Sequence, residues 1–177
     1  MIEQQTVIYM SKLKIHHNFL DTNVFNTFFK SIKDESFPWF RGYKVQDDFK
    51  QRLMVENKQI QLRHVFLHPE YGASPYYDIV KPIIKNFKNV VKVKLNLTFS
   101  SGTQDIGGWH YDYDKTDNIK IGVLYLNTNN GFTKLDDGTQ IISEKNKLAV
   151  FDNINHTDVT QTDTTERFVL NIGYTDD

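Results

Sequence analysis

From residue 119 onward, the sequence alternates short runs of strand-forming residues with turn signals at steady intervals. Turn signals lie at Asn129-Asn-Gly131 and Asp136-Asp-Gly138, because asparagine, aspartate and glycine adopt the backbone angles of tight turns readily. Many short strands joined by regular turns are typical of a β-sandwich or a β-barrel. The strand-like runs cover residues 119–127, 131–135, 139–143, 147–152, 155–160 and 166–174.

The first half of the chain carries the helical signals. Apolar side chains recur every three or four positions over residues 22–34, after a capping Asp21 or Thr22, which predicts an amphipathic helix packed on a sheet. A second helix is predicted to start at Ser74-Pro75, with Pro82 either kinking it or ending its first part. Strands are predicted at residues 6–9, 13–15, 62–68 and 89–99. We therefore predict a mainly β (α+β) fold, a double-stranded β-helix (jelly-roll) barrel buttressed by N-terminal helices.

The strand at residues 89–99 alternates strictly between two faces. Its apolar face carries valine, leucine and phenylalanine, and its polar face carries Lys92, Lys94, Asn96 and Thr98. In a jelly roll, such a strand can project its polar residues into the barrel, which makes Asn96 and Thr98 candidate contacts for a bound ligand. The alternative is a solvent-facing edge on which the lysines prevent association with other strands.

Composition limits the classes of function. The formal net charge is −1 and the pI is about 6.6, so the basic excess expected for non-specific nucleic-acid binding is absent. The lack of cysteine excludes disulfides, zinc–thiolate sites and thiol nucleophiles. The N-terminus lacks the features of a signal peptide, and no run approaches the ~20 apolar residues that span a membrane. The protein is predicted to be soluble and cytoplasmic, without a membrane partner.

His110 and Asp112 lie two positions apart near the start of the C-terminal third. Side chains at i and i+2 of a strand share a face, so this imidazole and carboxylate can reach one metal ion. A second imidazole, His156, follows the apolar run 148–151. Two histidines and one carboxylate on one side of a metal form the facial triad of non-haem Fe(II) oxygenases. Arg167 begins the last strand, and its planar fork suits a carboxylate, so a dicarboxylate chelating the metal is expected to place its far end there.

With these residues in this order, the sequence resembles the Fe(II)- and 2-oxoglutarate-dependent dioxygenases, specifically the prolyl 4-hydroxylase-like branch with its small phage and bacterial members. The run Tyr125-Leu-Asn127, followed by Asn130-Gly131-Phe-Thr133, is similar to the YLN…GGxT segment of that branch. The resemblance is strongest over about residues 90–175.

The resemblance implies a hydroxylase that oxidises an unactivated C–H bond while 2-oxoglutarate is decarboxylated to succinate and CO2. It assigns Fe(II) to His110, Asp112 and His156, with O2 as co-substrate and ascorbate as a reductant. Co-substrate binding falls to Arg167 with Tyr125, and to Asn96, Thr98 and Thr133; the triad and Arg167 form the catalytic set. It implies one oxygenase domain over residues 1–177, with residues 1–89 supporting a jelly-roll core at 90–177.

The substrate is left open between a small molecule and a peptidyl proline or other protein residue. An aromatic mouth suited to a peptide is predicted, with ordinary packing as the alternative for the same residues: Trp39, Tyr43, Trp109, Tyr111 and Tyr113. No residue pattern indicates the oligomeric state.

Three other interpretations of the metal-binding pattern stay open. One is a cupin-like metal enzyme or sensor without 2-oxoglutarate, for which Arg167 and Tyr125 would be unnecessary. Another is a non-catalytic jelly-roll module for structure or interaction, and the third is a family member that binds metal without hydroxylating. His64 and His68 would share one face of a strand, so they form a weaker competing metal pair.

Overall fold

The computed structural model describes residues 7–10, 13–42, 61–115 and 117–176, so the predicted strand start at Thr6 lies outside the described residues. The helical elements are α1 (Thr22–Lys33), a 3-10 turn (Tyr77–Ile79) and α2 (Lys81–Ile84). The strands of the first half are β1 (Val7–Met10), β2 (Leu13–His16), β3 (Phe40–Gly42), β4 (Gln61–His68), β5 (Gly72–Ala73) and β6 (Val90–Phe99). Those of the second half are β7 (Lys120–Tyr125), β8 (Phe132–Leu135), β9 (Gln140–Ile142), β10 (Lys147–Asp152), β11 (His156–Val159) and β12 (Glu166–Tyr174).

The strands form two antiparallel sheets. The major sheet has the order β1-β2-β10-β7-β12-β6-β4-β3, with β5 paired to β4, and the minor sheet has the order β11-β8-β9. Strands from the N-terminal half therefore extend the major sheet on both sides of the β10-β7-β12-β6 centre. The predicted mainly β fold is confirmed.

One core lies between α1 and the major sheet. Asp21 caps the helix by accepting hydrogen bonds from the backbone of its first turn, and the buried stripe is Phe25, Phe28 and Ile32. This stripe packs with alternate residues of the central strands, among them Leu95, Leu97, Leu124, Leu148, Phe168 and Leu170. The prediction that the aromatic helix face packs on a sheet is confirmed.

The second core lies on the other face of the major sheet, against the minor sheet. It contains Val123, Tyr125 and Val169 from the major sheet, with Leu135 and Ile141 from the minor sheet. Because side chains alternate along a strand, β12 sends Phe168 and Leu170 towards α1 and sends Arg167 and Val169 between the sheets. The polar residues of β6 share this inner face. They therefore face the barrel interior, and β6 is not the solvent-facing edge strand that the sequence also allowed.

The predicted long helix at Ser74-Pro75 is wrong. The Ser74 amide donates to the Phe66 carbonyl at 2.9 Å, which holds Ser74 in the β4–β5 hairpin, and only the 3-10 turn and the four residues of α2 follow. Pro82 lies in the first turn of α2, where its missing N–H costs no helix hydrogen bond, and it produces no kink. Within the described part of the chain, no helix is long and apolar enough to cross a membrane.

Candidate metal centre and co-substrate cavity

His110, Asp112 and His156 converge between the two sheets, with their ligand atoms within 4.8 Å of one another. Nε2 of His110 lies 3.8 Å from one Asp112 oxygen, and Nε2 of His156 lies 3.7 Å from the other. These separations are too long for direct hydrogen bonds and leave room for an ion between the three side chains. Among the residues that the structure describes, this is the one group of three or more such ligands.

The second nitrogen of each imidazole fixes its orientation. Nδ1 of His110 lies 2.9 Å from the Gly108 carbonyl, and Nδ1 of His156 lies 2.9 Å from the Ile154 carbonyl. A carbonyl only accepts, so each Nδ1 carries the proton and each Nε2 presents its lone pair towards Asp112. Backbone-oriented imidazoles of this kind are usual in metal sites, and the donor set fits Fe(II).

The two histidines are held side by side by their own backbones. The His110 amide donates to the His156 carbonyl and the His156 amide to the His110 carbonyl, both at 3.0 Å. This single antiparallel bridge replaces the regular strand predicted for His110 and Asp112, because the residues after His110 bend away and make no ladder. The convergence therefore depends on β11, which begins at His156, and not on an i, i+2 pair in one strand.

Burial lowers the pKa of His156, although the Asp112 carboxylate and the Ile154 carbonyl oppose this effect. Desolvation disfavours the imidazolium form, so the ring is held neutral at physiological pH. A neutral imidazole is the form that ligates a metal.

A cavity of about 140 Å³ adjoins the candidate metal centre. Its floor comes from the inner faces of β4, β6 and β12, and its opposite side comes from the minor sheet with the two histidines. The lining residues are Gln61, Arg63, Lys94, Asn96, Thr98, His110, Val123, Thr133, His156, Asp158, Arg167, Val169 and Asn171.

Arg167 is the most deeply buried cation of this cavity, with 3% of its surface exposed. Its Nε donates to the Ser143 hydroxyl at 2.7 Å, and no carboxylate of the described residues forms an ion pair with it. Burial lowers the pKa of Arg167, but a guanidinium stays charged at neutral pH. A buried cation without a partner is costly, so this guanidinium is suited to an anionic ligand.

Tyr125 lies behind the cavity wall and supports Arg167. The guanidinium carbon lies 5.7 Å from the centre of the Tyr125 ring, and the Tyr125 hydroxyl donates to Thr133 Oγ1 at 2.7 Å. Burial raises the pKa of Tyr125 to about 12, which keeps the hydroxyl neutral. Thr133 lines the cavity and Tyr125 does not, so of this hydrogen-bonded pair the threonine is the one that can contact a ligand in the cavity.

Asn96 and Thr98 present buried polar atoms to the cavity. Asn96 Oδ1 and Thr98 Oγ1 have no hydrogen-bond partner among the described residues, although both side chains are at least nine-tenths buried. Buried polar atoms are nearly always satisfied, so unpaired ones on a cavity wall indicate a bound ligand or water.

The four predicted aromatic residues that the structure describes do not line the 140 Å³ cavity. Trp39 packs in the helix-side core, with its ring centre 5.2 Å from Phe37 and 6.0 Å from Phe168. Tyr113 lines a smaller neighbouring cavity beside Asp112. Trp109 and Tyr111 are half-buried but do not line the 140 Å³ cavity, and Tyr43 lies outside the described residues.

The competing histidine pair does not form a metal site. His64 is buried between the Pro38 carbonyl, 2.9 Å from Nδ1, and the Ser74 hydroxyl, 3.1 Å from Nε2. His68 stacks on Tyr71 at 4.5 Å. A register shift at residues 65–67 separates the two rings, so an even spacing in sequence does not give a shared face.

Sequence reasoning did not single out the cavity residues Arg63 and Lys94, or Ser143, which accepts a hydrogen bond from Arg167. The cavity position of Lys94 could have been predicted from the sequence, because Lys94 occupies the same polar face of β6 as Asn96 and Thr98. The positions of Arg63 and Ser143 could not, since they depend on the pairing of β4 with β6 and on the loop after β9.

Sequence comparison finds no protein family and no curated protein that matches the chain. Its structure, however, is similar to several solved structures. AviO1 from Streptomyces viridochromogenes is 13% identical, with a TM-score of 0.59 over 93% of this chain and 90% of that one. A Pseudomonas putida prolyl-4-hydroxylase is 14% identical, with a TM-score of 0.55 over 93% and 92%.

A Trichoplax adhaerens prolyl hydroxylase, solved with a peptide fragment of the hypoxia inducible factor oxygen degradation domain, is 14% identical. Its TM-score is 0.62, over 94% of this chain and 84% of that one. At these identities the similarity shows the fold alone. The predicted resemblance and the predicted jelly-roll barrel are thus confirmed: the chain has the fold of the 2-oxoglutarate and Fe(II) oxygenases, including the prolyl hydroxylases.

Proposed function

We propose that this protein is an Fe(II)- and 2-oxoglutarate-dependent dioxygenase that hydroxylates an unactivated C–H bond. The observation that carries the proposal is the guanidinium of Arg167, which has no ion-pair partner among the described residues and is buried in the same cavity that His110 and His156 line. A metal and a buried cation across one cavity suit a dicarboxylate that chelates at one end and forms an ion pair at the other.

The residues of the metal centre and those around Arg167 then have defined tasks. His110, Asp112 and His156 hold Fe(II), and Arg167 binds the distal carboxylate of 2-oxoglutarate, with Ser143 fixing Nε and Tyr125 supporting the guanidinium. Thr133, Asn96 and Thr98 supply further hydrogen bonds to the ligand. When bound, iron, O2 and 2-oxoglutarate supply the oxidising chemistry; the protein supplies geometry and a partly dry site. We also propose that residues 1–177 act as one oxygenase domain, and that ascorbate keeps the iron reduced.

A cupin-like metal site and a non-catalytic jelly roll explain these contacts less well. A cupin-like site needs no buried cation opposite the metal, and a structural module needs neither the oriented imidazoles nor the unpaired Asn96 and Thr98 oxygens. The substrate is proposed to be a small molecule or a protein residue, and a peptide-bound structural neighbour supports the second class.

The test is turnover of 2-oxoglutarate by the iron-loaded protein in air with ascorbate, followed by NMR. Iron-dependent formation of succinate is expected, and it should disappear in an Asp112→Ala variant because the carboxylate ligand is lost. Unchanged 2-oxoglutarate at saturating Fe(II), in the wild type, would contradict the proposal.

A further inference from the structure

The cavity holds more positive charge than the proposed reaction uses. Among the described residues, its lining includes the cations Arg63, Lys94 and Arg167 and one carboxylate, Asp158, with Asp112 beside it as a metal ligand. The proposed function assigns a ligand to Arg167 alone. Two cations therefore face the cavity without a task.

Lys94 projects from the middle of β6 onto the cavity floor. Its backbone neighbours are Asn171 in β12 and Val65 in β4, so it lies between two strands that also face the cavity. Over the described ranges its ammonium makes no hydrogen bond and no ion pair. Burial lowers the pKa of Lys94, and the Asp112 and Asp158 carboxylates oppose this effect. A lysine in this position has donors to offer to a ligand.

Arg63 lies one strand nearer the edge of the sheet, on β4, and its exposure places it at the open side of the cavity. Its side chain runs over Gly42 of β3: a Cβ at that glycine would lie 3.1 Å from Cδ of Arg63. A side chain at position 42 would therefore press against Arg63. Arg63 and Lys94 line the same cavity, so both charges act on it.

Counted over the residues that the structure describes, the charges of the loaded cavity do not balance. Fe(II) and Arg167 together carry three positive charges, and Asp112 and 2-oxoglutarate together carry three negative charges, so these groups neutralise one another. Of the remaining groups, Asp158 offsets only one of Arg63 and Lys94. One positive charge is left, and a carboxylate on the substrate would neutralise it.

We propose that Arg63 and Lys94 form a second anion site that binds a carboxylate of the substrate and orients its reacting C–H bond towards the iron. The proposal rests on the proposed function and names its substrate class, an anionic one. The carboxylate belongs either to a free acid or to an acidic side chain of a peptide, and both present the same group to the two cations.

The test uses two probe pairs that differ only in one charge. N-acetyl-L-alanine is compared with its amide, and capped Ala-Glu-Ala is compared with capped Ala-Gln-Ala. Each probe is titrated calorimetrically into the anaerobic Fe(II)·2-oxoglutarate complex of the wild type, of the R63Q/K94Q double variant and of K92Q. Lys92 is the matched control, since it lies on the same strand but outside the lining of this cavity.

In the wild type, at least one acid should bind about tenfold more tightly than its neutral partner, as expected for a charge-assisted contact. The pair that shows the preference identifies the free acid or the peptide as the source. The preference should vanish in R63Q/K94Q and persist in K92Q.

Equal affinity of acids and amides in the wild type would overturn the inference, and so would a preference that survives in R63Q/K94Q. Loss of 2-oxoglutarate binding in the double variant would also overturn it, because the cations would then serve the co-substrate. Failure of the wild type to form the Fe(II)·2-oxoglutarate complex would instead refute the proposed function itself.

Discussion

Replacement of Arg167 by methionine should separate co-substrate binding from metal binding. Arg167 is 3% exposed, so a carboxylate bound to it is removed from most of the solvent. Truncating one partner of such a pair costs roughly 2–5 kcal/mol. Because the cavity keeps an open side, we expect the lower part of this range, about 2–3 kcal/mol, or about 30- to 150-fold in Kd.

The assay is calorimetric titration of 2-oxoglutarate into the Mn(II)-loaded protein, since Mn(II) occupies similar ligand sets without oxygen chemistry. Arg167→Met should raise the Kd of 2-oxoglutarate by the stated factor and leave the Mn(II) affinity unchanged. Ser143→Ala removes only the partner of Nε, so it should weaken 2-oxoglutarate by less than about tenfold.

A second ligand distinguishes an effect on the distal carboxylate from an effect on the chelating end. 2-Oxobutanoate keeps the chelating end of 2-oxoglutarate and lacks the distal carboxylate, so Arg167→Met should leave its affinity nearly unchanged. Equal losses for both ligands would show that the substitution damages the chelating end. A fall in Mn(II) affinity as large as the fall in 2-oxoglutarate affinity would refute the division of roles.

Three further substitutions test other parts of the account. Asp112→Ala should abolish Fe(II) binding measured by equilibrium dialysis, and retention of iron would contradict the triad. Gly131→Ala should weaken 2-oxoglutarate in the same calorimetric assay with little effect on metal, because the new Cβ would lie 2.8 Å from Cδ of Arg167; unchanged affinity would show that the guanidinium can shift without loss. Asn146→Ala should lower the free energy of unfolding in urea by about 2–4 kcal/mol, because two buried hydrogen bonds to the Leu20 backbone are lost, and a change below 1 kcal/mol would contradict it.

Most of the C-terminal core could be predicted from the sequence because burial there follows strand alternation. The strands at residues 147–152 and 166–174 have the predicted bounds. The predicted turn at Asp136-Asp-Gly138 is also present. Gly138 has a φ of +89°, a backbone angle that residues with a side chain rarely adopt. In these segments, local preference and tertiary contacts agree.

The second predicted helix failed because its apolar stripe is compatible with more than one backbone. Val80, Ile83 and Ile84 are buried although the chain makes only a 3-10 turn and one helical turn there. The spacing of the apolar residues indicated which side chains are buried, but it could not indicate that the Ser74 amide is hydrogen-bonded to β4. Long-range hydrogen bonds of this kind have no local signal.

The candidate site divides in the same way. The residue types of the triad and Arg167 indicated their chemistry directly, whereas the bridge that aligns His110 with His156 depends on pairing between distant segments. The same holds for Arg63, whose place on the cavity lining depends on the pairing of β4 with β6. Sequence therefore indicated the chemistry, and the sheet register determined which side chains share the cavity.

The most direct test of the central claim is an anaerobic titration of the apo-protein with Fe(II) and then 2-oxoglutarate, monitored in the visible spectrum. The account predicts a weak charge-transfer band from the chelate that saturates in the wild type and is strongly reduced in Arg167→Met at the same concentrations. Iron binding without a band would contradict a 2-oxoglutarate site and favour a cupin-like centre. An absence of iron binding would contradict the metal centre altogether.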